Sequence, residues 1–401
     1  MDIKTIPRTF DRGARVAALL PTLATVLAVA VAWVVPPPAE AAPHFARRYE
    51  VSCSRCHVLP PKLNEFGERF LAAGYDSPEL TAKSTWPVAL WATGRAESVR
   101  LAGGEREEIG PYVNRVELIS GGKLLRPWLS YFLEWRLVSQ ETRADGTLRD
   151  RSGRLEDALL IFGPGENFEL VVGQFRQVNQ IDVSRRLSLS EPLVLSASLP
   201  GEGGSTPRRT SLRGFSPAGR SPSVRAAWND RAKTGWDWTA SVAVPMPGEL
   251  SIPLSSEAER EASNEFEAEP KGVVLEGFVR RGLTSFGGHA FYDDGDRYLV
   301  NGVVTGRFRP LTLFWTAMAG FDEVEGTRRG RWSLEGEYVP SDRWGLGARI
   351  ENRSNDGAAP AFLPFVVWHH PLHRTARLTV AFEQRLQEER NASILEVGLL
   401  F

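Results

Sequence analysis

The sequence contains very little sulfur, with only two cysteines and three methionines in 401 residues. The cysteines are Cys53 and Cys56, so the chain has no further thiols from which a disulfide framework could form. An excess of one charge is also missing, because 48 basic and 49 acidic residues leave a formal net charge of −1. This balance gives no reason to expect a polyanion, and we expect no nucleic-acid partner.

Long apolar runs are scarce, and the mean hydropathy of −0.23 argues against a bundle of membrane helices. One such run, residues 16–35, follows a basic start and precedes the small residues Ala39-Glu40-Ala41. This order is typical of an export signal with an A-x-A cleavage site, and we assign it to residues 1–41. The alternative is an uncleaved membrane helix, because about 20 apolar residues can span a bilayer.

The two cysteines belong to the run Cys53-Ser54-Arg55-Cys56-His57, a C-x-x-C-H pattern that indicates covalent attachment of haem c. Each thiol adds to one haem vinyl group, and the following histidine binds the iron from one side. A redox C-x-x-C would lie near a βαβ pattern, and a zinc site would need a second ligand pair. The sequence shows neither, so it predicts one haem c and electron transfer as the function.

The segment that carries this motif, residues 42–85, is too short to build an independent core. Leu63, Phe66 and Phe70 share one face of a predicted short helix, and Gly74 suits its C-terminal cap. We therefore expect a small helical plug whose haem takes the rest of its pocket from the remainder of the chain.

Residues 86–401 alternate between apolar and polar side chains in segments of about ten residues, which is typical of a transmembrane β-barrel. Tyr131 and Leu133, for example, alternate with Ser130 and Glu134. The predicted strands are centred near residues 91, 116, 133, 159, 172, 226, 240, 276, 289, 303, 316, 335, 347, 365, 380 and 397. The predicted fold is all-β, a 16-stranded antiparallel barrel with a helical N-terminal haem c plug; a soluble β-sandwich is the alternative.

The connections between these strands alternate in length, and the longest are residues 139–154, 177–222 and 245–271. Bacterial barrels have short periplasmic turns and longer outer loops, so the pattern predicts a location in the outer membrane. Tryptophans fall beside the short turns, as an aromatic girdle requires; they are Trp86, Trp128, Trp228, Trp236, Trp344 and Trp368. The sequence ends on Phe401 after further alternation, which resembles the assembly signal of outer-membrane proteins.

A family resemblance covers residues 43–75. The run Pro43-His44-Phe45-Ala46-Arg47-Arg48-Tyr49, the haem motif, Leu63-Asn64-Glu65-Phe66-Gly67 and Gly74-Tyr75 resemble the start of the fused cytochrome–porins of the outer membrane. The resemblance implies one N-terminal c-type haem joined to a porin-like barrel, and the best-known members oxidise extracellular Fe(II). It therefore suggests Fe(II) as the donor and an Fe(II) oxidase-type oxidoreductase. Because there is no second haem motif, the next carrier is expected to be a soluble periplasmic cytochrome.

The second axial ligand of the iron has several candidates. His44 lies nine residues before Cys53 in the plug and is the first of them. Met318, which points into the lumen by strand parity, is the alternative, and His289 follows. Histidine and methionine are both ordinary axial ligands, and an iron without a second protein ligand is also possible in principle. The remaining histidines, His369, His370 and His373, cluster at a predicted periplasmic turn.

Two loops and the lumen carry most of the charge. Loop 245–271 holds seven glutamates and either gathers Fe(II) or is only a solvated acidic loop. Loop 177–222 holds six arginines and either folds into the pore or faces lipopolysaccharide. The predicted lumen mixes both signs, which indicates a plugged, salt-bridged interior; its residues are Arg115, Glu117, Glu134, Arg136, Glu276, Arg280, Glu335, Glu337, Arg349 and Glu383.

Two functions follow from this sequence. The first is an electron conduit through a lumen that contains the haem, surrounded by outer-membrane lipid. The second is a solute porin whose haem plug serves gating or sensing. A narrow lumen that holds the plug would favour the first, and a wide lumen with the plug outside would favour the second.

Overall fold

The computed structural model describes most of the chain from residue 44 to residue 400. The described ranges are 44–83, 88–101, 106–125, 128–142, 148–165, 167–177, 186–190, 192, 220–231, 235–246, 250, 252, 254, 272–292, 298–308, 313–324, 327–353, 359–372, 376–387 and 390–400. The export segment 1–41, Trp86, His373 and Phe401 lie outside these ranges, as do most of loops 177–222 and 245–271.

The plug consists of two short helices around a small hairpin. Its elements are α1 (His44–Tyr49), a 3-10 turn (Cys53–Arg55), β1 (His57–Leu59), β2 (Lys62–Leu63) and α2 (Glu65–Ala72). The helix predicted from the apolar stripe is α2, which buries Phe66 and Phe70. Among the described residues, no helix combines the length and the hydropathy needed to cross a bilayer.

The rest of the described chain is one closed antiparallel sheet. Its strands are β3 (Val88–Leu101), β4 (Arg106–Leu125), β5 (Leu129–Thr142), β6 (Leu148–Asp150), β7 (Leu155–Phe162), β8 (Phe168–Arg176), β9 (Arg220–Arg231), β10 (Asp237–Pro245), β11 (Val273–Arg281), β12 (Thr284–Tyr292), β13 (Tyr298–Phe308), β14 (Leu313–Val324), β15 (Thr327–Tyr338), β16 (Trp344–Arg353), β17 (Ala361–Pro371), β18 (Arg377–Arg385) and β19 (Arg390–Leu400). The barrel closes where β19 pairs with β3, for example at Gly398 and Thr93. The three-residue β6 pairs with the end of β5, and β5 also pairs directly with β7. The sixteen long strands contain all sixteen predicted centres, which confirms the fold.

The outside of the barrel is apolar and its inside is polar. Along β13, Val300 and Val304 are exposed, whereas Asn301 between them is buried. Four tryptophans beside the short turns are also exposed: Trp128, Trp228, Trp236 and Trp344. A soluble sandwich buries its apolar faces, so this arrangement excludes it and fits strands that face lipid.

The plug lies inside the barrel and reaches opposite parts of its wall. Leu59 of β1 belongs to a buried cluster with Phe314 and Phe365, on β14 and β17. Phe70 of α2 belongs to a second buried cluster, with Ile161 of β7 and Val171 of β8. The plug therefore spans the lumen from one side of the wall to the other.

At the end of the barrel opposite loops 177–222 and 245–271, every connection between strands is short, and the plug lies at that end. An added Cβ on Gly74 would meet Pro164 in the β7–β8 turn at 2.4 Å, and one on Gly282 in the β11–β12 turn would meet Glu65 at 3.2 Å. Short turns face the periplasm in barrels of this kind. The haem motif is therefore placed in the periplasmic part of the lumen.

Candidate haem centre

The C-x-x-C-H motif is held in shape by Asn64. The Asn64 backbone N–H donates to the Cys56 carbonyl at 2.8 Å, and its side-chain amide donates to the Ser54 and Arg55 carbonyls, both at 3.1 Å. Its side-chain oxygen accepts the Gly67 N–H at 2.9 Å and caps α2. In the sequence Asn64 stands only as part of the family resemblance, although an asparagine one position before a helix is a recognisable N-cap.

Helix α2 packs directly on the motif because residue 67 is a glycine. A Cβ at this position would lie 2.1 Å from the Cys56 carbonyl oxygen and 2.9 Å from Leu63 Cδ2. Backbone cannot move aside as a flexible side chain can, so α2 and the motif can approach this closely only without that carbon.

We expect Gly67→Ala to lower haem attachment at least tenfold, because the added carbon pushes α2 away from the Cys56 carbonyl. Alanine favours helix formation over glycine by about 1 kcal/mol, so any loss must come from the clash. The measurement is haem stain per barrel on a denaturing gel. Gly336→Ala is the matched control, since nothing lies within 4 Å of a Cβ there. Equal stain in both variants would contradict the prediction.

His57 is oriented as a metal ligand. Its Nδ1 lies 2.9 Å from the Pro61 carbonyl oxygen, which fixes the tautomer with the proton on Nδ1 and leaves the lone pair of a neutral imidazole on Nε2. Histidines that bind metals commonly donate their other ring N–H to a carbonyl in this way. Burial lowers the pKa of His57 to about 4, so the imidazole is neutral at pH 7.

The two thiols complete the donor set. Cys53 is buried and Cys56 is partly buried, and neither forms a disulfide. Burial raises the pKa of Cys56 to about 11, whereas thiols that work in redox exchange have lowered pKa values. Two free thiols, followed in the chain by an imidazole that is unprotonated at Nε2, fit a covalently attached haem c.

His44 and Met318 lie at different parts of the wall. His44 begins α1 and is buried beside Phe45, with ring centroids 3.8 Å apart, and neither ring nitrogen has a hydrogen-bond partner. A Cβ on Gly121 of β4 would come within 3.3 Å of its Nε2. Met318 on β14 is buried and faces the lumen, as strand parity predicts.

A cleft lies between the plug and the wall. Lys62 and Glu68 line it from the plug, and Met318 lines it from β14. His289 is placed differently, because its Nε2 is engaged at 2.9 Å by the Asn301 side-chain nitrogen. Of the two leading candidates for the second ligand, Met318 borders open space and His44 is enclosed.

Part of the arginine-rich loop folds into the lumen. The Leu187 N–H donates to Glu337, the Leu189 N–H donates to Glu383 at 2.8 Å, and Arg349 donates to the Ser190 hydroxyl at 2.6 Å. The inward interpretation of loop 177–222 is thus confirmed for residues 186–190. The glutamates of loop 245–271 lie outside the described residues.

The lumen is lined by paired charges of both signs, as predicted. The pairs that involve predicted lumen residues include Arg136–Glu117 at 2.7 Å, Arg220–Glu134 at 3.3 Å, Arg349–Glu335 at 2.9 Å, Arg280–Glu68 at 2.7 Å and Lys62–Glu337 at 2.5 Å. The last two join the plug to the wall. The lumen beside the plug is therefore crossed by ion pairs and is not an open channel.

Comparison with known proteins identifies the class of fold. No protein-family model matches the chain, and no curated protein matches it. OmpF of Salmonella typhi, solved in complex with daunomycin, superposes with a TM-score of 0.51 at 8% identity, over 78% of this chain and 97% of that chain. An anion-selective porin from Comamonas acidovorans matches with a TM-score of 0.46 at 12% identity, over 78% of this chain and 98% of the porin. OccK2 of Pseudomonas aeruginosa, in complex with glucuronate, matches with a TM-score of 0.44 at 9% identity, over 79% and 97%.

The chain is a porin-like barrel of the Gram-negative outer-membrane type. Its closed sheet, its exposed apolar exterior and its polar interior define that class. At these identities the likeness concerns the fold, and function has to be argued from the plug.

Proposed function

We propose that this chain is an outer-membrane electron-transfer protein with one haem c, attached to Cys53 and Cys56 and bound by His57. It passes electrons between an extracellular donor and a periplasmic carrier. The observation that carries this proposal is the orientation of His57, whose Nδ1 donates to the Pro61 carbonyl and whose unprotonated nitrogen is therefore Nε2, in the same motif as two free thiols. When bound, the haem supplies a one-electron iron centre, and the chain holds, buries and positions it.

The position of the plug inside the barrel supports the proposal of an electron conduit. Lys62 and Glu68 tie the plug to the wall through buried ion pairs, and residues 186–190 cover the hairpin, with Leu187 in the same apolar cluster as Leu59. The motif lies at the periplasmic end, where a soluble periplasmic cytochrome can approach it. A donor outside the cell reaches it through the barrel, which replaces the insulating lipid.

Fe(II) is the donor that we propose on the resemblance of residues 43–75. One electron leaves Fe(II), which becomes Fe(III), and the periplasmic cytochrome takes that electron up. Carboxylates suit hard cations such as iron, and the sequence of loop 245–271 carries seven glutamates. For the second axial position the sequence candidates are His44, supported by its two unpartnered ring nitrogens, and Met318, supported by its place in the cleft.

The alternative proposal is a solute porin with a haem-containing gating or sensing plug. The porin fold and the cleft beside the plug favour it. The two proposals differ in one property, because a conduit needs electrons but not solutes to cross.

We expect Fe(II) added outside proteoliposomes to reduce the haem and then a soluble cytochrome c enclosed inside. Absorbance of the two haems reports the transfer, and swelling in sugar solutions reports solute flux, which should stay near the protein-free value. Only vesicles with the outer loops exposed are counted, as judged by protease access. The variant with Cys53→Ala and Cys56→Ala is the control and should transfer nothing. No reduction by Fe(II) together with free passage of sugars would favour the porin.

A further inference from the structure

His369 is a buried histidine that neither the strand pairing of the barrel nor the packing of the plug requires. It lies near the periplasmic end of β17, faces the lumen and is 2% exposed. Its neighbour His370 is exposed and stacks on Trp368 outside, with ring centroids 5.5 Å apart. Adjacent residues of a strand point to opposite faces, so the two histidines lie on different sides of the wall.

The ring of His369 is held at one nitrogen and free at the other. Its Nδ1 lies 3.1 Å from the hydroxyl of Thr379, its partner across the β17–β18 pair. Its Nε2 is buried without a hydrogen-bond partner. A buried polar atom left unpartnered costs about 1–3 kcal/mol, so such an atom calls for a ligand or a function.

The ring of His369 lies beside the haem hairpin. Leu59 of β1 comes within 2.8 Å of a Cβ built on Gly345, and Gly345 pairs with Val367, two residues before His369. The ring itself faces the Pro60 backbone and is within electrostatic range of His57. His57 of the plug and His369 of the wall, each with a hydrogen-bond partner at Nδ1, therefore lie near each other where the plug touches the wall.

We propose that His369 is the second axial ligand of the haem iron, through Nε2, so that the iron is held between the plug and the barrel. This inference rests on the proposed function, because it requires the haem on Cys53 and Cys56. It gives the barrel a direct part in the haem site, since one ligand comes from the plug and the other from β17. Met318 in the second position would raise the reduction potential relative to a pair of histidines.

The test is absorption and electron paramagnetic resonance spectroscopy of the purified, oxidised full-length protein. The wild type should be low-spin with the signature of two histidines, and His369→Ala should become high-spin while its covalent haem stain stays. Added imidazole should restore the low-spin spectrum of His369→Ala, which separates a lost ligand from a collapsed fold. His369→Met should stay low-spin with a raised potential. His370→Ala is the matched control and should behave as the wild type does.

The inference is overturned if His369→Ala keeps the wild-type spectrum, or if His44→Ala or Met318→Leu gives the high-spin form instead. A wild type that is high-spin overturns it as well, because no second histidine is then bound. These results leave the proposed function intact, since haem is attached in all of them. A wild type without covalent haem overturns both.

Discussion

A chain with alanine at both Cys53 and Cys56 will carry no covalent haem, whereas its barrel will assemble normally. The effect is all-or-none because these are the only thiols in the chain, so no other side chain can form the thioether bonds. Neither residue takes part in the strand pairings that close the barrel. The loss therefore separates haem attachment from folding.

Haem stain on a denaturing gel measures this loss, and heat-modified migration of the unboiled sample reports the barrel. Ser54→Ala is the control, because Ser54 lies in the same turn and is exposed, and its hydroxyl contacts only Ser52, at 2.8 Å. It should stain as the wild type does. Stain that survives the double substitution would show that the motif does not hold haem.

The strands could be predicted because side-chain direction in a strand is a local property. A residue and its neighbour point to opposite faces, so the alternation of Val300 with Asn301 already distinguishes the lipid face from the lumen. The same alternation predicts that Met318 faces the lumen, and in the structure Met318 is buried there. Turn and loop lengths are likewise local, and they predict which end of the barrel is periplasmic.

The position of the plug inside the barrel could not be predicted, because it depends on contacts between residues that are far apart in the sequence. Lys62 meets Glu337 across 275 positions, and Arg280 meets Glu68 across 212. No feature of the sequence near Lys62 identifies Glu337 as its partner. The arginine-rich loop shows the same limit: its composition fitted both an inward and an outward loop, and only the bonds from residues 186–190 to the wall decide for that part.

His369 illustrates a different limit. The sequence placed it in a cluster with His370 at a periplasmic turn, where the two appear equivalent. The structure separates them, since one is buried with its Nδ1 on Thr379 and the other is exposed. The alternation of side chains along β17, continued to the last residues of the strand, is the signal that could have distinguished them.

Lys62→Met is expected to loosen the plug from the barrel. The Lys62 ammonium lies 2.5 Å from Glu337 and 4.7 Å from the centre of the Phe314 ring, and both carboxylate and ammonium are almost fully buried. Removing one partner of a buried pair strands the other charge and costs about 3 kcal/mol or more. That corresponds to about a hundredfold rise in the undocked fraction.

Limited proteolysis of the plug in folded barrels measures this fraction, because cleavage follows the population of the open form when opening is fast. Arg55→Met is the matched control: Arg55 also pairs with a glutamate, Glu79, and lies 4.0 Å above a phenylalanine ring, but this pair is exposed. Exposed pairs contribute about 0–1 kcal/mol, so cleavage should rise fivefold at most. Adding Glu337→Gln to Lys62→Met should recover most of the protection, since the stranded charge is then gone while the amide oxygen still accepts the Leu187 N–H. Equal cleavage of Lys62→Met and Arg55→Met would mean that the buried pair does not hold the plug in place.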